Sequence, residues 1–285
     1  MQHDEFDKLM ETIPSDNSDV IWLHQENMDI GGGEISIDDI NRINQYDNTD
    51  TITISGLRQD TFEYFIERYG DRITYLYLWK NKLVEDFSAL SRLTKVRYID
   101  FFGNQRVTKL WDMSSNHCLE GLAFNDFSRL RSLDGIQNAP NLKHLHFGNK
   151  VWATSILSDL EPLAGTKLIS FSFGGKKIER EDISVYARMP ELKVLDFATN
   201  LYTTEILAQI VAMCPDVSGY ALVPYRTFDA SNREKDVLIC GKGKPFLHSK
   251  KDMEKIEGYK KKFYDLVRKY KNDYLVLETE HEDRD

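Results

Sequence analysis

One apolar pattern occurs twice in residues 73–101, ITYLYLWKNKLVEDFSALSRLTKVRYIDF. Two apolar residues three positions apart are followed, two positions later, by a third. The pattern continues along the chain, with starts separated by 23, 23, 23, 26, 24 and 25 residues. Its seven copies are Ile73/Leu76/Leu78, Val96/Ile99/Phe101, Leu119/Leu122/Phe124, Leu142/Leu145/Phe147, Leu168/Phe171/Phe173, Leu192/Leu195/Phe197 and Val217/Tyr220/Leu222. A near-constant period of this length is typical of a solenoid, in which each repeat covers the apolar side chains of the next.

The alternation at the end of each copy predicts a short strand, and stacked copies predict a parallel sheet. A weaker copy, Thr49/Ile52/Ile54, starts 24 residues before Ile73. It is followed by an amphipathic helix at Asp60–Tyr69, which we expect Asp60 or Thr61 to cap. A second short helix is expected at Ile206–Met213.

These repeats resemble those of leucine-rich repeat proteins, and are similar in length to the internalin and phosphatase-regulator types. The resemblance covers residues 49–223 and implies an α/β solenoid, with a curved parallel sheet on the concave face and short helices and turns on the convex face. It also implies an Asn three residues after the last core position, where its side chain bonds the turn between repeats. Asn81, Asn104 and Asn200 match, and the remaining repeats have Phe127, Lys150, Lys176 and Tyr225 there.

Phenylalanine takes the third core position in five consecutive repeats. We interpret this as a buried aromatic column that replaces leucine. The five residues are Phe101, Phe124, Phe147, Phe173 and Phe197.

A solenoid needs caps on its apolar ends. The expected organisation is an acidic N-terminal cap at 1–48, about eight repeats at 49–223, a C-terminal cap with a basic amphipathic helix at 224–271, and an acidic tail at 272–285.

The caps also have predicted elements. In the first cap they are strands at Val20–Leu23 and Glu34–Ile37, a Gly31–Gly33 turn between them, and a helix at Asp38–Tyr46. In the second cap they are a strand at Asp236–Cys240 and a helix at Lys250–Tyr270, followed by disorder from Glu278 to Asp285.

Charge is unevenly distributed along the chain. The net charge is −9 overall, but residues 1–50 carry −11, residues 242–271 carry +7 and residues 272–285 carry −5. The basic run at Lys250–Lys271 fits a solvated helix face, and also a salt-sensitive contact with the acidic first 50 residues of another copy. Because the whole protein is acidic, we expect neither nucleic acid nor a membrane as a partner.

Composition also bears on location. No apolar run approaches the roughly 18 residues of a membrane span, and the N-terminus lacks the basic and apolar regions of a signal peptide. Three cysteines, Cys118, Cys214 and Cys240, occur without C-x-x-C spacing. We therefore expect reduced thiols and a cytoplasmic location.

The residues between core positions are expected on the concave face, because side chains alternate along a strand. The first two full repeats place five aromatic residues there, with Arg97 and Asp100 among them. Later repeats have mostly Gly, Ala and Ser. Such a cluster indicates an interaction surface, or else aromatic residues that pack on one another or under a cap. The five aromatic residues are Tyr75, Tyr77, Trp79, Tyr98 and Phe102.

His144 and His146 face the same way, but a metal site needs further ligands. Their neighbouring strands offer only Gly, Ala and Ser. We therefore expect no metal and assign both histidines to the partner surface, where they would add a pH-dependent contact.

No nucleophile-and-base motif is present, and residues 241–245, GKGKP, lack the spacing of a phosphate loop. We expect no cofactor and no catalysis.

The sequence therefore predicts a protein-interaction module that binds another protein on its concave face. The alternative is a cytosolic inhibitor or immunity-type protein that binds a basic toxin or enzyme through its acidic N-terminal face. Strong salt dependence of binding would favour the alternative.

Overall fold

The computed structural model describes residues 20–25, 33–149, 154–229 and 234–282, with side chains up to Tyr274 in the last helix. Two compact units are present. The N-terminal unit comprises the described residues up to Asp182 together with Met189–Glu191, and the C-terminal unit comprises Ile183–Arg188 and the described residues from Leu192 onward.

The N-terminal unit alternates short strands with helices and 3-10 turns. In chain order its helices and strands are β1 (Val20–Leu23), α1 (Ile37–Asn41), β2 (Thr51–Ile54), α2 (Gln59–Tyr69), β3 (Tyr75–Trp79), β4 (Tyr98–Asn104), β5 (Gly121–Phe127), β6 (His144–Gly148), β7 (Ile156–Leu157), β8 (Ser170–Gly174) and β9 (Lys177–Ile178).

The strands of this unit pair in the order β1-β2-β3-β4-β5-β6-β8, and every pair is parallel. Leu76 lies opposite Ile99 and Leu78 opposite Phe101, so equivalent core positions stand side by side. The repeat register read from the sequence is therefore confirmed. Strand β1, predicted at Val20–Leu23 in the N-terminal cap, pairs with β2 in this sheet.

The phenylalanine column is buried, as predicted. The rings of Phe101 and Phe124 stack with centroids 5.0 Å apart and an interplanar angle of 4°. Phe147 and Phe173 stack in the same way at 6.3 Å. Burying each of these side chains contributes about 2 to 3 kcal/mol, so the column is a main source of cohesion between repeats.

The asparagine bonds are present in two repeats. Asn81 Nδ2 donates to the carbonyl oxygen of Ile54 at 3.0 Å, and its Oδ1 accepts from the Leu57 N–H at 2.9 Å. Asn104 Nδ2 likewise donates to the preceding repeat, at the Asn81 carbonyl oxygen, whereas its Oδ1 accepts from the Val107 N–H of its own turn. Asn200, in the C-terminal unit, is exposed.

At or just beyond the end of each of β2, β3, β4 and β5, one residue lies in the left-handed region. Its φ is +74° at Gly56, +51° at Lys80, +74° at Gly103 and +59° at Asp126. These four positions follow the last core residue of their repeats by two. Gly adopts this conformation without strain, whereas Lys does not.

Two expectations are wrong, one for a strand of the N-terminal cap and one for the residue that caps α2. Residues 34–36 form no strand, because Ser36 and Asp39 make a capping box that starts α1 at Ile37. At α2 the N-cap residue is Arg58, and Thr61 Oγ1 accepts from its backbone N–H at 2.9 Å. Gly31 and Gly32 of the expected turn lie outside the described residues.

The C-terminal unit is smaller. In chain order it contains α3 (Ser184–Ala187), β10 (Val194–Phe197), α4 (Thr204–Met213), β11 (Tyr225–Thr227), β12 (Val237–Ile239), β13 (Phe246–Leu247) and α5 (Met253–Glu282). Strands β11, β12 and β13 form an antiparallel sheet.

The last sequence repeat, Val217/Tyr220/Leu222, forms no strand. Val194 makes a single parallel bridge to Ser218. Two residues further on, the Tyr220 N–H donates to the Asp196 side chain at 2.7 Å. Because a carboxylate takes that N–H, the ladder stops after one bridge.

Helix α5 is longer than predicted. It continues past Tyr270 to Glu282, so the expectation of disorder is wrong for residues 278–282. Residues 283–285 lie outside the described part of the chain.

Candidate functional site

The outer face is defined here as the side of the N-terminal sheet whose side chains alternate with the buried core residues. The strand register sorts these side chains into three rows. The first row is Val20, Thr51, Tyr75, Tyr98, Gly121, His144 and Ser170. The second is Trp22, Thr53, Tyr77, Asp100, Ala123, His146 and Ser172. The third begins with His24 and Ser55, one residue beyond β1 and β2, and continues with Trp79, Phe102, Asn125, Gly148 and Gly174.

The nine residues predicted as a site all lie on or beside β3, β4 and β6. Strands β3 and β4 are neighbours, so Tyr75 stands opposite Tyr98, Tyr77 opposite Asp100, and Trp79 opposite Phe102. Strand β5 separates β4 from β6. The structure therefore brings the aromatic residues together and leaves His144 and His146 apart from them.

The first row contains a stacked pair with a charged edge. The rings of Tyr75 and Tyr98 lie 5.5 Å apart and nearly parallel. Arg97, just before β4, donates to the Tyr75 hydroxyl at 3.2 Å and to Glu120 at 2.7 Å. Tyr98 is only 8% exposed, and its hydroxyl donates to the same Glu120 carboxylate at 3.3 Å. The pair is therefore fixed by packing and by hydrogen bonds.

The second row places a tyrosine near two carboxylates. Asp100 is buried and accepts from Asn125 Nδ2 at 2.9 Å. Asp126, at its left-handed turn position, accepts from Asn149 Nδ2 at 2.8 Å. Burial, together with the charges of both aspartates, raises the pKa of Tyr77 above its usual range. Tyr77 is therefore a neutral phenol across the physiological range and can act as a hydrogen-bond donor.

The third row joins β1 to the aromatic group. The His24 ring lies 5.5 Å from the Trp22 ring and 5.7 Å from the Trp79 ring, measured between centroids. The Lys80 ammonium lies 4.2 Å above the Trp79 ring centroid, a cation–π contact. Burial lowers the pKa of His24, so its imidazole is neutral at pH 7.

Trp22 and His24 were missed from the sequence. Trp22 is 42% exposed, which makes it the most exposed aromatic residue on the described part of this face. The signal was present, since Ile21 and Leu23 fit the last two core positions of the repeat pattern, but Ser18 stands where the pattern has its first apolar residue.

The two histidines face serines on the next strand. His144 Nδ1 lies 2.9 Å from Ser170 Oγ, and His146 Nδ1 lies 3.1 Å from Ser172 Oγ. His144 is buried and His146 is half-buried. Within the described ranges, no group of three or more His, Cys, Asp or Glu side chains is placed to hold a metal ion.

The outer-face side chains beyond β4 differ in size from those of the aromatic cluster. A Cβ atom on Gly148 would lie 2.5 Å from the Cα of Gly174, so only glycine fits there. With Gly121 and Ala123 on β5, small side chains border the bulky aromatic cluster. The outer face thus has a raised aromatic part and a lower part beside it.

Two further observations concern the whole described chain. None of the helices in the described ranges combines the length and the apolar character needed to cross a bilayer. All three cysteines are free thiols, with Cys118 exposed and Cys214 and Cys240 buried.

A periodic sequence pattern and a parallel sheet built from successive repeats are the features of a leucine-rich repeat solenoid, and the N-terminal unit of this chain has that fold. No protein-family model matches the sequence, and no curated protein matches it. Among solved structures it is similar to several internalins.

An internalin, InlF, from Listeria monocytogenes is 17% identical, with 61% of this chain and 52% of that one covered and a TM-score of 0.43. Internalin C2 from the same organism is 22% identical, with 58% and 70% covered and a TM-score of 0.41. The functional domain of its InlJ, which includes a cysteine ladder, is 18% identical, with 60% and 38% covered and a TM-score of 0.36. The chain thus spans about half of InlF. The leucine-rich repeat assignment rests on the register and repeats of this chain and not on these partial likenesses.

Proposed function

We propose that this chain is a protein-recognition module that binds a partner protein on its outer face and carries out no catalysis. The observation that carries the proposal is the aromatic cluster over β1, β3 and β4. Trp, Tyr and Arg dominate binding hot spots, and this cluster combines all three. Its residues are Trp22, Tyr75, Tyr77, Trp79, Arg97, Tyr98 and Phe102, with Asp100 between them.

Rigidity supports this proposal. The Tyr75–Tyr98 stack and the Arg97–Glu120 ion pair hold the first row in one arrangement. Strand backbone holds the other rows. A surface that is already ordered loses little conformational entropy when a partner binds, so more of the contact energy becomes affinity.

The difference in side-chain size between two parts of the outer face also supports the proposal. Gly121 and Ala123 on β5 leave a lower area next to the cluster, and His146 on β6 is half-buried beyond it. A partner that fits both areas would contact the aromatic side chains on one flank and His146 on the other. A cytoplasmic location and the lack of a cofactor belong to the same proposal, and the three free thiols are consistent with that location.

The test is a quantitative pull-down from lysate of the source cells. The face variant is Tyr77→Ala/Phe102→Ala. The matched control is Tyr46→Ala/Phe246→Ala, which removes one Tyr and one Phe that are 38% and 46% exposed elsewhere. We expect a protein that wild type and control retain and that the face variant loses by about 30-fold, as for a hot spot of about 2 kcal/mol. Equal retention by the face variant would refute the proposal.

The acidic N-terminal cap favours a second candidate, an inhibitor or immunity-type protein for a basic target. Asp38 and Asp47 are exposed there, and residues 1–50 carry a net charge of −11. Long-range attraction of this kind is strongly screened by salt, whereas aromatic contacts are not. Binding that disappears between low and about 1 M salt, and that tolerates the face variant, would establish this candidate over the first.

A further inference from the structure

Charges of opposite sign stand at two points along one margin of the outer face. The turn column is defined as the residues that directly follow the third-row residues of successive repeats: Gly56, Lys80, Gly103, Asp126 and Asn149. Lys80 and Asp126 lie two strands apart, so about 10 Å separates their Cα atoms. Because Lys80 is held over the Trp79 ring, Asp126 belongs to a separate part of the column.

The Asp126 carboxylate is half-buried and is held by a neutral group. Asn149 Nδ2 donates to its Oδ1 at 2.8 Å. Asn149 is itself fixed, because its Oδ1 accepts from the N–H groups of Thr154 and Ser155 at 2.9 and 2.8 Å. A carboxylate has about four acceptor sites. Asp126 can therefore accept further hydrogen bonds from a donor that a partner brings.

The negative charge of Asp126 is not balanced by a cation in the described part of the chain. No ion pair between described residues includes Asp126. Beside the first row, by contrast, Glu120 pairs with Arg97 at 2.7 Å and with Lys143 at 3.5 Å. The outer face thus offers a carboxylate to a partner at Asp126, whereas its carboxylate at Glu120 is already matched.

This charge acts on the aromatic cluster. Burial raises the pKa of Tyr77, and the charges of Asp100 and Asp126 raise it further, so both carboxylates lie close enough to act on the phenol. Phe102 stands opposite Asn125, the residue before Asp126. The Tyr77 and Phe102 side chains are both half-buried, so part of each remains open to a partner.

Aromatic rings beside a carboxylate favour a cation. A positive group over a ring face gains a cation–π contact, and a donor to a carboxylate gains a charge-assisted hydrogen bond. Lys80 over Trp79 shows the first of these contacts within the chain itself. The low area at Gly121 and Ala123, next to β4, gives a long side chain a path to Asp126.

The geometry favours a guanidinium over an ammonium. The guanidinium of arginine is planar, so it can stack on a ring while its donors reach a carboxylate in a two-toothed arrangement. It is also less strongly hydrated than the ammonium of lysine, and therefore loses less when it enters a half-buried site.

We propose that the outer face recognises an arginine side chain of its partner, which donates to Asp126 and stacks on Phe102 beside Tyr77. The inference rests on the proposed function, since it names the chemistry of the partner that this face binds. Asp126 is then a specificity-determining residue.

The test selects binders from a library of random peptides displayed on phage, with the full chain as the immobilised target. Peptides that bind wild type and fail to bind Tyr77→Ala/Phe102→Ala use the outer face, and we expect these peptides to be enriched in arginine. Affinities of labelled synthetic copies are then measured by fluorescence anisotropy. Asp126→Asn removes the charge and keeps the shape, and asparagine tolerates the left-handed backbone. Asp38→Asn makes the same change at an exposed residue of α1 and is the matched control.

We expect Asp126→Asn to weaken an outer-face peptide by about 10-fold or more, and Asp38→Asn to leave its affinity unchanged. Replacing the arginine of the peptide with citrulline, its neutral isostere, should cause the same loss. Asp126→Asn should then have little further effect on the citrulline peptide, because the two changes remove one contact.

The other outcomes separate this inference from the proposed function. Outer-face peptides without arginine enrichment, or with lysine in its place, would overturn the inference and leave the proposed function standing. So would equal affinity of such peptides for wild type and Asp126→Asn. If no selected peptide needs the outer face, the inference is also wrong, and the pull-down with Tyr77→Ala/Phe102→Ala decides the proposed function by itself.

Discussion

Asn104 makes four hydrogen bonds, two to the preceding repeat and two within its own turn, and replacing it with alanine removes all of them. Its Nδ2 donates to the carbonyl oxygens of Asn81 at 2.9 Å and Val84 at 2.8 Å. Its Oδ1 accepts from the N–H groups of Arg106 and Val107, both at 2.9 Å. Asn104 itself is 4% exposed, so water does not readily replace these bonds.

The cost follows from the backbone groups left behind. A hydrogen bond contributes about 0.5 to 1.5 kcal/mol net, and a buried group left unpaired costs about 1 to 3 kcal/mol. Relaxation of the loop lets some of the four groups reach water. We therefore expect Asn104→Ala to lower the free energy of unfolding by about 3 kcal/mol.

The assay is urea unfolding followed by far-UV circular dichroism, with Asn200→Ala as the matched control. Asn200 occupies the same position of the sequence repeat but is exposed, so its replacement should change stability by less than about 0.5 kcal/mol. If the two variants lose equal stability, or if Asn104→Ala loses less than about 1 kcal/mol, the side chain does not hold the repeats together as described.

Three further predictions follow from buried groups. Phe124→Ala should lower the free energy of unfolding by about 3 to 5 kcal/mol, and Phe124→Leu clearly less because leucine fills most of the space; equal losses would refute the stacked column. A thiol reagent should modify Cys118 in the native protein, and Cys214 and Cys240 only after unfolding, because burial raises the pKa of both buried thiols to about 11. Since the native pKa of Tyr77 lies above the unfolded value of about 10, the unfolded state loses its proton first and stability falls as pH rises above that value; Tyr77→Phe should make this fall shallower, and an unchanged slope would contradict the shift.

The strand positions were predictable because the same apolar pattern recurs in several repeats. A single apolar triplet fits many structures, but equal spacing over several copies fixes strand, register and core side together. The last copy shows the limit of this reasoning. Val217/Tyr220/Leu222 keeps the spacing, yet the side chain of Asp196 captures the Tyr220 N–H and ends the ladder. The apolar pattern does not predict a side-chain hydrogen bond from the preceding repeat.

The sequence predicts which residues lie on the outer face, but it does not predict how deeply their side chains are buried. Alternation places Tyr98, Asp100 and His144 on this face, and all three are nonetheless buried. Their exposure depends on how neighbouring strands fill the space around them. Tyr75 stacks on Tyr98, and Asn125 reaches Asp100 from the next repeat. Such contacts join residues that are 22 to 26 positions apart. The periodic pattern predicts that these residues are neighbours, but it does not predict how deeply they bury one another.

Lys80 is the residue at which the fold and the proposed function meet. Its position in the turn is left-handed, and the equivalent residues Gly56 and Gly103 adopt that conformation without strain. A non-glycine residue there costs about 1 to 2 kcal/mol. The lysine nonetheless holds a positive charge 4.2 Å above the Trp79 ring, at the edge of the aromatic cluster. Strain that places a charge beside a candidate binding surface indicates a functional reason for the residue.

Replacing Lys80 separates the two contributions. Lys80→Ala keeps the strain and loses the cation–π contact, so it should be less stable than wild type. Lys80→Gly removes both the strain and the cation–π contact. Its free energy of unfolding should therefore be about 1 kcal/mol higher than that of Lys80→Ala. Both variants should weaken binding of a partner to the outer face to a similar extent, because both lose the charge. Equal stability of the two variants in urea unfolding would show that the turn is not strained, and Lys80 would then be an ordinary surface lysine.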